Sequence, residues 1–147
     1  MMSAQERFRT VVRDRIAPGL RAMGMRGSGR LYSLPSDVCW AQFGIQRATW
    51  SDRDAVHFTA NLSVVGREDW TRAHEDGPAP RTKPSPNVYS LHPFRFQERI
   101  GPVAGRTDHW WQLSADGRDE DLTCDDFLHV VGDFAVPAML REIRSRA

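Results

Sequence analysis

A strict alternation of apolar and polar side chains between Ala55 and Val65 constrains the fold more than any other feature of this chain. Successive side chains of a β-strand point to opposite faces, so the pattern predicts a strand with one apolar and one polar face. The apolar set is Val56, Phe58, Ala60, Leu62 and Val64, and the polar set is His57, Thr59, Asn61 and Ser63. A turn at Ser51 to Asp54 separates this strand from another at Val38 to Thr49, which predicts an antiparallel hairpin.

Three further segments have the composition of short strands. They run from Arg30 to Leu34, from Phe94 to Ile100 and from His109 to Ser114, and we interpret the last two as neighbouring strands. Together with the hairpin they predict an antiparallel sheet of about five strands.

An amphipathic helix is predicted at the N-terminus. Ser3 and Glu6 have the spacing of a capping box, and Gly24 is a natural stop. Pro18 removes a backbone donor, so we expect a kink near it. The apolar stripe of this helix is Phe8, Val12, Ile16, Leu20 and Met23.

A second helix is predicted at the C-terminus. We expect it to begin at Thr123, whose hydroxyl would cap it, and to kink near Pro137. Its apolar stripe would be Phe127, Val131, Phe134 and Ala138. If both helices pack on the apolar face of the sheet, the fold class is α+β.

Residues 1–147 have the length of a single domain. Within it, Glu68 to Glu75 reads as a short helix anchored by Trp70. Residues 77–93 form a proline-rich loop, and loops of this length in compact domains are often functional. Its prolines are Pro78, Pro80, Pro84, Pro86 and Pro93.

The formal net charge is +1, so no overall field draws the chain to nucleic acid or to an anionic membrane. No apolar run is long enough to span a bilayer. The two cysteines, Cys39 and Cys124, lack metal-type spacing and are expected to be reduced and structural. We therefore expect a cytoplasmic protein.

Catalytic and metal-binding patterns are absent from the sequence. There is no phosphate-binding loop, serine-hydrolase elbow or zinc-protease motif, so we predict no cofactor, no metal and no catalytic residues. The acidic run from Asp116 to Asp126 lacks the ligand pattern of a calcium loop. His109 beside Asp108 would form an acid–base pair only if both side chains pointed the same way, which adjacent strand residues do not.

The polar face of the sheet is the candidate binding surface. Continuing the alternation across the strands gathers tryptophan, arginine, glutamine, asparagine and histidine there, a composition enriched at protein interfaces. The candidate residues are Trp40, Gln46, His57, Asn61, Arg99 and Trp110. The alternative interpretation is that Trp110 and Trp111 only plug the two sides of the sheet, with Arg99 stacked on one ring.

Several of these positions resemble a bacterial family called domain of unknown function 4304. The resemblance rests on Arg99-Ile100-Gly101, the run Asp108 to Trp111, Gln46, Asn61 and the pair Gly24-Met25, and it covers most of the chain. Met25 stands where the family has an aromatic residue. The resemblance implies an α+β fold and bacterial origin, and it implies no activity.

Three functional hypotheses follow. The first is a non-enzymatic module whose polar sheet face holds a protein partner, with an immunity-like role as an analogy of fold alone. The second is a small enzyme or small-molecule-binding protein with a pocket between the sheet and the proline-rich loop, using Arg99 for an anionic ligand and His57 or His109 for proton transfer. The third, single-stranded nucleic acid held by tryptophan stacking with Arg95 and Arg99, is disfavoured by the charge balance. Nothing in the sequence indicates an oligomeric state.

Overall fold

The computed structural model describes residues 1–73, 83–90 and 95–147 of the chain. Its helices are α1 (Ala4–Val11), α2 (Ala17–Ala22), α3 (Arg67–Ala73), α4 (Ile100–Val103), α5 (Glu120–Val130) and α6 (Val136–Arg146). Its strands are β1 (Arg26–Ser28), β2 (Leu31–Leu34), β3 (Cys39–Arg47), β4 (Ala55–Gly66), β5 (Phe96–Arg99) and β6 (Trp111–Ser114). The predicted α+β class with an antiparallel sheet is confirmed.

The sheet is built around the long strand β4. On one side the order is β1, β2, β3, β4; on the other side β4 pairs with both β5 and β6. Asn61 to Val64 pair with β5, whereas Ala55 to Phe58 pair with β6. The prediction that the last two strands are neighbours is therefore wrong. They share one edge of β4 end to end, because the chain turns into the short helix α4 immediately after Arg99.

Both terminal helices are interrupted by a π-helical turn just before a proline. Val12–Ile16 joins α1 to α2, and Val131–Ala135 joins α5 to α6. In each turn a backbone N–H reaches the carbonyl five residues back, from Ala17 to Val12 and from Val136 to Val131. Each turn inserts one extra residue ahead of a position that cannot donate a hydrogen bond. The kinks predicted near Pro18 and Pro137 stay a prediction.

The two interrupted helices repeat one sequence pattern, Phe-x-x-Val-Val-x-Asp-x-x-x-Pro. It occupies residues 8–18 and again residues 127–137. The phenylalanine and both valines are buried in each copy. Phe8 and Phe127 each lie 5.3 Å, centroid to centroid, from the ring of Phe58 on β4. The two ends of the chain therefore pack on the same face of the sheet in the same way.

The core lies between this helical layer and the inner face of the sheet. The predicted apolar set of β4 is fully buried there, as are Phe43 and Ile45 of β3. Trp111 is 4% exposed and its ring lies 5.0 Å from that of Phe127. None of the helices in the described ranges has the length and apolarity needed to cross a bilayer.

Two predictions about the C-terminal helix are wrong. Helix α5 begins at Glu120, and Thr123 is not its cap: the buried Thr123 hydroxyl donates to the Gln112 carbonyl at 2.8 Å, tying the helix to β6. Phe134 is 39% exposed rather than part of the core. It lies inside the π-helical turn, whose extra residue rotates the following side chains away from a regular α-helical stripe.

Candidate functional site

The face of the sheet away from the N- and C-terminal helices, called here the outer face, carries all six residues predicted from the sequence. Cross-strand pairs place Gln46 beside Thr59, Asn61 beside Arg99 and His57 beside Gln112. The six are Trp40, Gln46, His57, Asn61, Arg99 and Trp110. They do not form one cluster, because part of the outer face is covered by another stretch of the chain.

Residues 83–90, the described part of the proline-rich loop, cover one half of the outer face. Within this covered half Asn61 is 8% exposed, and its amide donates to Gln46 Oε1 at 2.8 Å and to Asn87 Oδ1 at 2.9 Å. Gly44 makes the close approach possible, since a Cβ there would lie 2.3 Å from Asn87 Oδ1. The rest of the predicted loop, at 77–82 and 91–93, lies outside the described residues, as does the end of the predicted helix at 68–75.

Two side chains of the outer face hold this segment in place. The Gln97 amide donates to the carbonyls of Pro86 and Val88, at 3.2 and 2.9 Å. Arg95 donates to Ser63 Oγ at 3.0 Å and to the Ser85 carbonyl at 2.5 Å. Burial lowers the pKa of Arg95. Both side chains are engaged in hydrogen bonds within the chain, so Arg95 is not free to contact a phosphate.

Trp40 lies at the far end of the covered half. The Cζ of Arg67 is 3.9 Å from its ring centroid and Lys83 Nζ is 5.5 Å from it, on the ring face in both cases. These cations belong to α3 and to the segment at 83–90. The tryptophan is therefore already occupied by cation–π contacts from its own chain.

The other half of the outer face, called the uncovered half, is formed by Trp50, His57, Arg99, Trp110 and Gln112. Gln112 is exposed there, and His57, Arg99 and Trp110 are partly exposed. Trp50 comes from the β3–β4 hairpin and is 59% exposed, and its ring meets Trp110 edge-on at 4.7 Å and His57 at 6.4 Å. The result is an aromatic surface with one tryptophan projecting into solvent.

Arg99 and Asp108 hold Trp110 in position. The guanidinium Cζ of Arg99 is 5.0 Å from the Trp110 ring centroid, and the Trp110 indole donates to Asp108 Oδ2 at 3.2 Å. Arg99 Nε lies 3.7 Å from Asp108 Oδ1. The Nη1 of Arg99 is buried and has no hydrogen-bond partner within the described ranges. The predicted stacking of Arg99 on one ring is confirmed.

Adjacent Trp110 and Trp111 point to opposite faces, as predicted from strand alternation. Trp111 packs in the core, and its indole donates to Asp126 Oδ2 at 2.9 Å. The Asp126 carboxylate also accepts hydrogen bonds from both terminal nitrogens of Arg106, at 2.8 and 3.0 Å. Hydrogen bonding from Arg106 lowers the pKa of Asp126 to about 2, despite partial burial that opposes the shift.

The candidate acid–base pair and the thiols are not brought together with these residues. His109 packs on Trp111 at 4.5 Å, while Asp108 engages Trp110 on the other face. Both cysteines are buried and unbridged. Burial raises the pKa of Cys39 and raises that of Cys124 to about 11, which disfavours the reactive thiolate.

Sequence reasoning missed Trp50 and Asn87. Trp50 sits beyond the end of β3, where strand alternation no longer assigns a face. Asn87 lies in a proline-rich loop whose path no local pattern predicts. A tryptophan in a hairpin turn, where few neighbours can bury it, was the available signal for the first of these.

Comparison with curated proteins and with solved structures gave no match. The family model described as "Domain of unknown function (DUF4304)" matches residues 16–141. That range contains both halves of the outer face, all six strands and most of the helical layer. The chain therefore belongs to the DUF4304 family.

Proposed function

We propose that this protein is a non-enzymatic binding module that holds a protein partner on the uncovered half of its outer face. The observation that carries the proposal is the pair Trp50 and Trp110, stacked edge to face and backed by Arg99. Tryptophan and arginine dominate the residues that contribute most to protein–protein affinity. An exposed tryptophan supported by a second ring loses little side-chain freedom on binding, which favours tight association.

The charges of this surface favour a protein over a nucleic acid. Arg99 stands beside the carboxylate of Asp108, and Arg95 is held in the covered half. An interface for a phosphate backbone needs several free cations. A mixed surface of rings, amides and one ion pair instead matches the polar and aromatic groups of another protein. We place this role in the bacterial cytoplasm, where two unbridged thiols would stay reduced.

Affinity capture from the native host followed by binary binding tests this proposal. Trp50→Ala and Trp110→Ala should each weaken binding of the captured, purified partner by about tenfold or more in calorimetry. Leu122→Ala is the matched control, because Leu122 is a 79% exposed apolar residue on α5. A partner that binds the tryptophan variants as tightly as the wild type would contradict the proposal. An adjacent toxin gene, with the toxin as partner, would support an immunity-like role.

A cavity between the sheet and residues 83–90 supports the alternative of a small-molecule-binding protein. Its volume is about 510 Å³, and its lining includes Gln46, Arg47, Ser85 and Asn87. The lining includes neither Arg99, His57 nor His109, so those residues would not serve a ligand bound there. Gln46→Ala and Asn87→Ala should weaken such a ligand without affecting the protein partner. A ligand that binds both variants normally would count against this alternative.

A further inference from the structure

A second cavity lies on the helical side of the molecule, between the N-terminal helices and the tip of the β1–β2 hairpin. Its volume is about 570 Å³, within the range of sites that hold organic ligands. Its apolar wall is formed by Phe8, Val12 and Ala17. The hairpin wall contributes Ser28, Gly29 and Arg30.

The rim of this cavity concentrates positive charge. Five of the chain's 20 basic residues line it: Arg9, Arg13, Arg21, Arg30 and Arg47. Arg13 pairs with Asp14 at 2.7 Å, and Arg21 donates to the Gly27 carbonyl. Among the described residues, no carboxylate pairs with Arg9, Arg30 or Arg47. The chain has a net charge of +1, so this local excess is not a consequence of overall composition.

The other arginines of the first helix serve a different purpose. Arg7 and Arg15 both reach Glu120 at 3.0 Å, and Arg15 also reaches Asp121 at 2.6 Å. These pairs tie the first helix to the start of α5. The helix thus separates its arginines into a set that fastens the fold and a set that faces the cavity.

The repeated helical pattern has no arginine at the positions equivalent to those of the cavity. Arg9 and Arg13 correspond, in the second copy, to Leu128 and Gly132. Both copies bury the same phenylalanine and valine positions against the sheet. Arg9 and Arg13 are themselves exposed, so the burial of their helix does not depend on them.

The hairpin wall is fixed in place by contacts that leave Arg30 and Arg47 available. The Tyr32 hydroxyl donates to the Gly29 carbonyl at 2.8 Å, and Gly29 itself has φ +62°, which permits the tight turn. Arg21 Nη2 donates to the Gly27 carbonyl at 3.0 Å and so joins the hairpin to α2. The cavity is thus shaped before any ligand enters.

We propose that this cavity binds a monomeric amphipathic organic anion. Its carboxylate or phosphate would be held by Arg30 and Arg47, with Arg9 close by, and its apolar body would rest against Phe8 and Val12. Guanidinium groups suit both head groups because they offer paired donors in a planar fork. Neutralising clustered like charges favours the anion, and this contribution weakens as salt screens it.

Calorimetry with four small probes tests the proposal. Octanoate supplies both the anion and the apolar body, octanol only the apolar body, and acetate only the anion. Octanoate should bind at least about tenfold more tightly than either partial probe, with affinity falling as salt rises. Octyl phosphate should bind as well, because the head group is recognised by charge.

Variants then assign the site. Arg30→Gln and Arg47→Gln should each weaken octanoate binding by about tenfold, since each removes a charge-assisted hydrogen bond. Both arginines also line the cavity beside residues 83–90, so Gln46→Ala, which changes only that other cavity, should leave octanoate binding unchanged. Arg144→Gln, an exposed arginine of α6 outside the cavity lining, should leave it unchanged, as should Trp50→Ala. Circular dichroism checks that the exposed substitutions leave the fold intact. Equal affinity for octanol, no effect of either variant, no octanoate binding, or binding only to anionic vesicles would overturn the proposal.

Discussion

The inner and outer faces of the sheet differ in how far they bury their side chains. The adjacent residues Trp110 and Trp111 show this contrast most directly. Trp111 is enclosed by Phe58, Phe127 and the ion pair of Asp126, whereas Trp110 rests on Arg99 beside the exposed Trp50. The inner face is closed by two helices that repeat one packing pattern. Among the described residues, the outer face is covered by residues 83–90 and, at Trp40, by Arg67 of α3. The inner face therefore forms the core, and the exposed Trp50 stands on the outer face, where we propose that a partner binds.

The largest loss of stability is expected from removing a large side chain of the inner face. Trp111→Ala should lower the free energy of unfolding by about 3–5 kcal/mol, because it leaves a cavity beside Phe127 and removes a partner of Asp126. Urea denaturation measures this loss. Trp111→Phe, which retains a ring, should cost clearly less. A loss below about 1 kcal/mol for the alanine variant would mean that this face is not the close-packed one.

A smaller effect is expected where the segment at 83–90 meets the outer face. Gly44→Ala should displace Asn87 and cost about 1–2 kcal/mol, since its Cβ would meet the Asn87 amide and break the contact with Asn61. Hydrogen exchange should accelerate in residues 83–90. In an Asn87→Ala background the same substitution should cost much less, and equal costs in both backgrounds would argue against the contact.

The ion pair between Asp126 and Arg106, next to Trp111, should make a pH-dependent contribution to the free energy of unfolding. The pKa of Asp126 is lowered to about 2, so its stabilising effect is present above about pH 4 and is lost as pH falls towards 2. Asp126→Asn should therefore cost about 1 kcal/mol at pH 7, a figure that allows for solvent screening of a partly exposed pair. The gap between variant and wild type should close near pH 2. A constant gap across this range would show that the charge of Asp126 is not responsible.

The smallest change in stability is expected on the open part of the outer face. Trp50→Ala should alter the free energy of unfolding by no more than about 0.5 kcal/mol, because Trp50 is 59% exposed. Its effect should appear in partner binding instead. A large loss of stability in thermal denaturation would indicate that Trp50 supports the fold rather than recognition.

Much of the sheet was predictable because strand alternation is a local property. The assignment of Val56 and Phe58 to one face and His57 to the other needed no tertiary information, and neither did the opposite directions of Trp110 and Trp111. Predictions failed where a side chain that fits a local rule forms its hydrogen bond with a residue distant in sequence. Thr123 has the side chain of a cap, yet its hydroxyl is used by the Gln112 carbonyl of β6.

Two other errors arose where the course of the chain departs from regular spacing. A π-helical turn inserts one residue, and Phe134 then leaves the apolar stripe that regular spacing assigns to it. The division of one sheet edge between β5 and β6 likewise depends on where α4 turns the chain. The cavity beside the first helix could not be predicted at all, because Arg9 and Arg47 come from segments far apart in sequence.

The sequence by itself determined which side chains of the long strands face inward. It also determined where the N-terminal helical segment begins and that it stops at Gly24, and which family the chain resembles. Only the tertiary structure decided which polar residues are available. Asn61 and Trp110 lie on the same outer face by alternation, but one is buried against Asn87 and the other stands beside an exposed tryptophan. Alternation is set by backbone geometry within a single strand, whereas availability depends on the path of distant segments across the sheet.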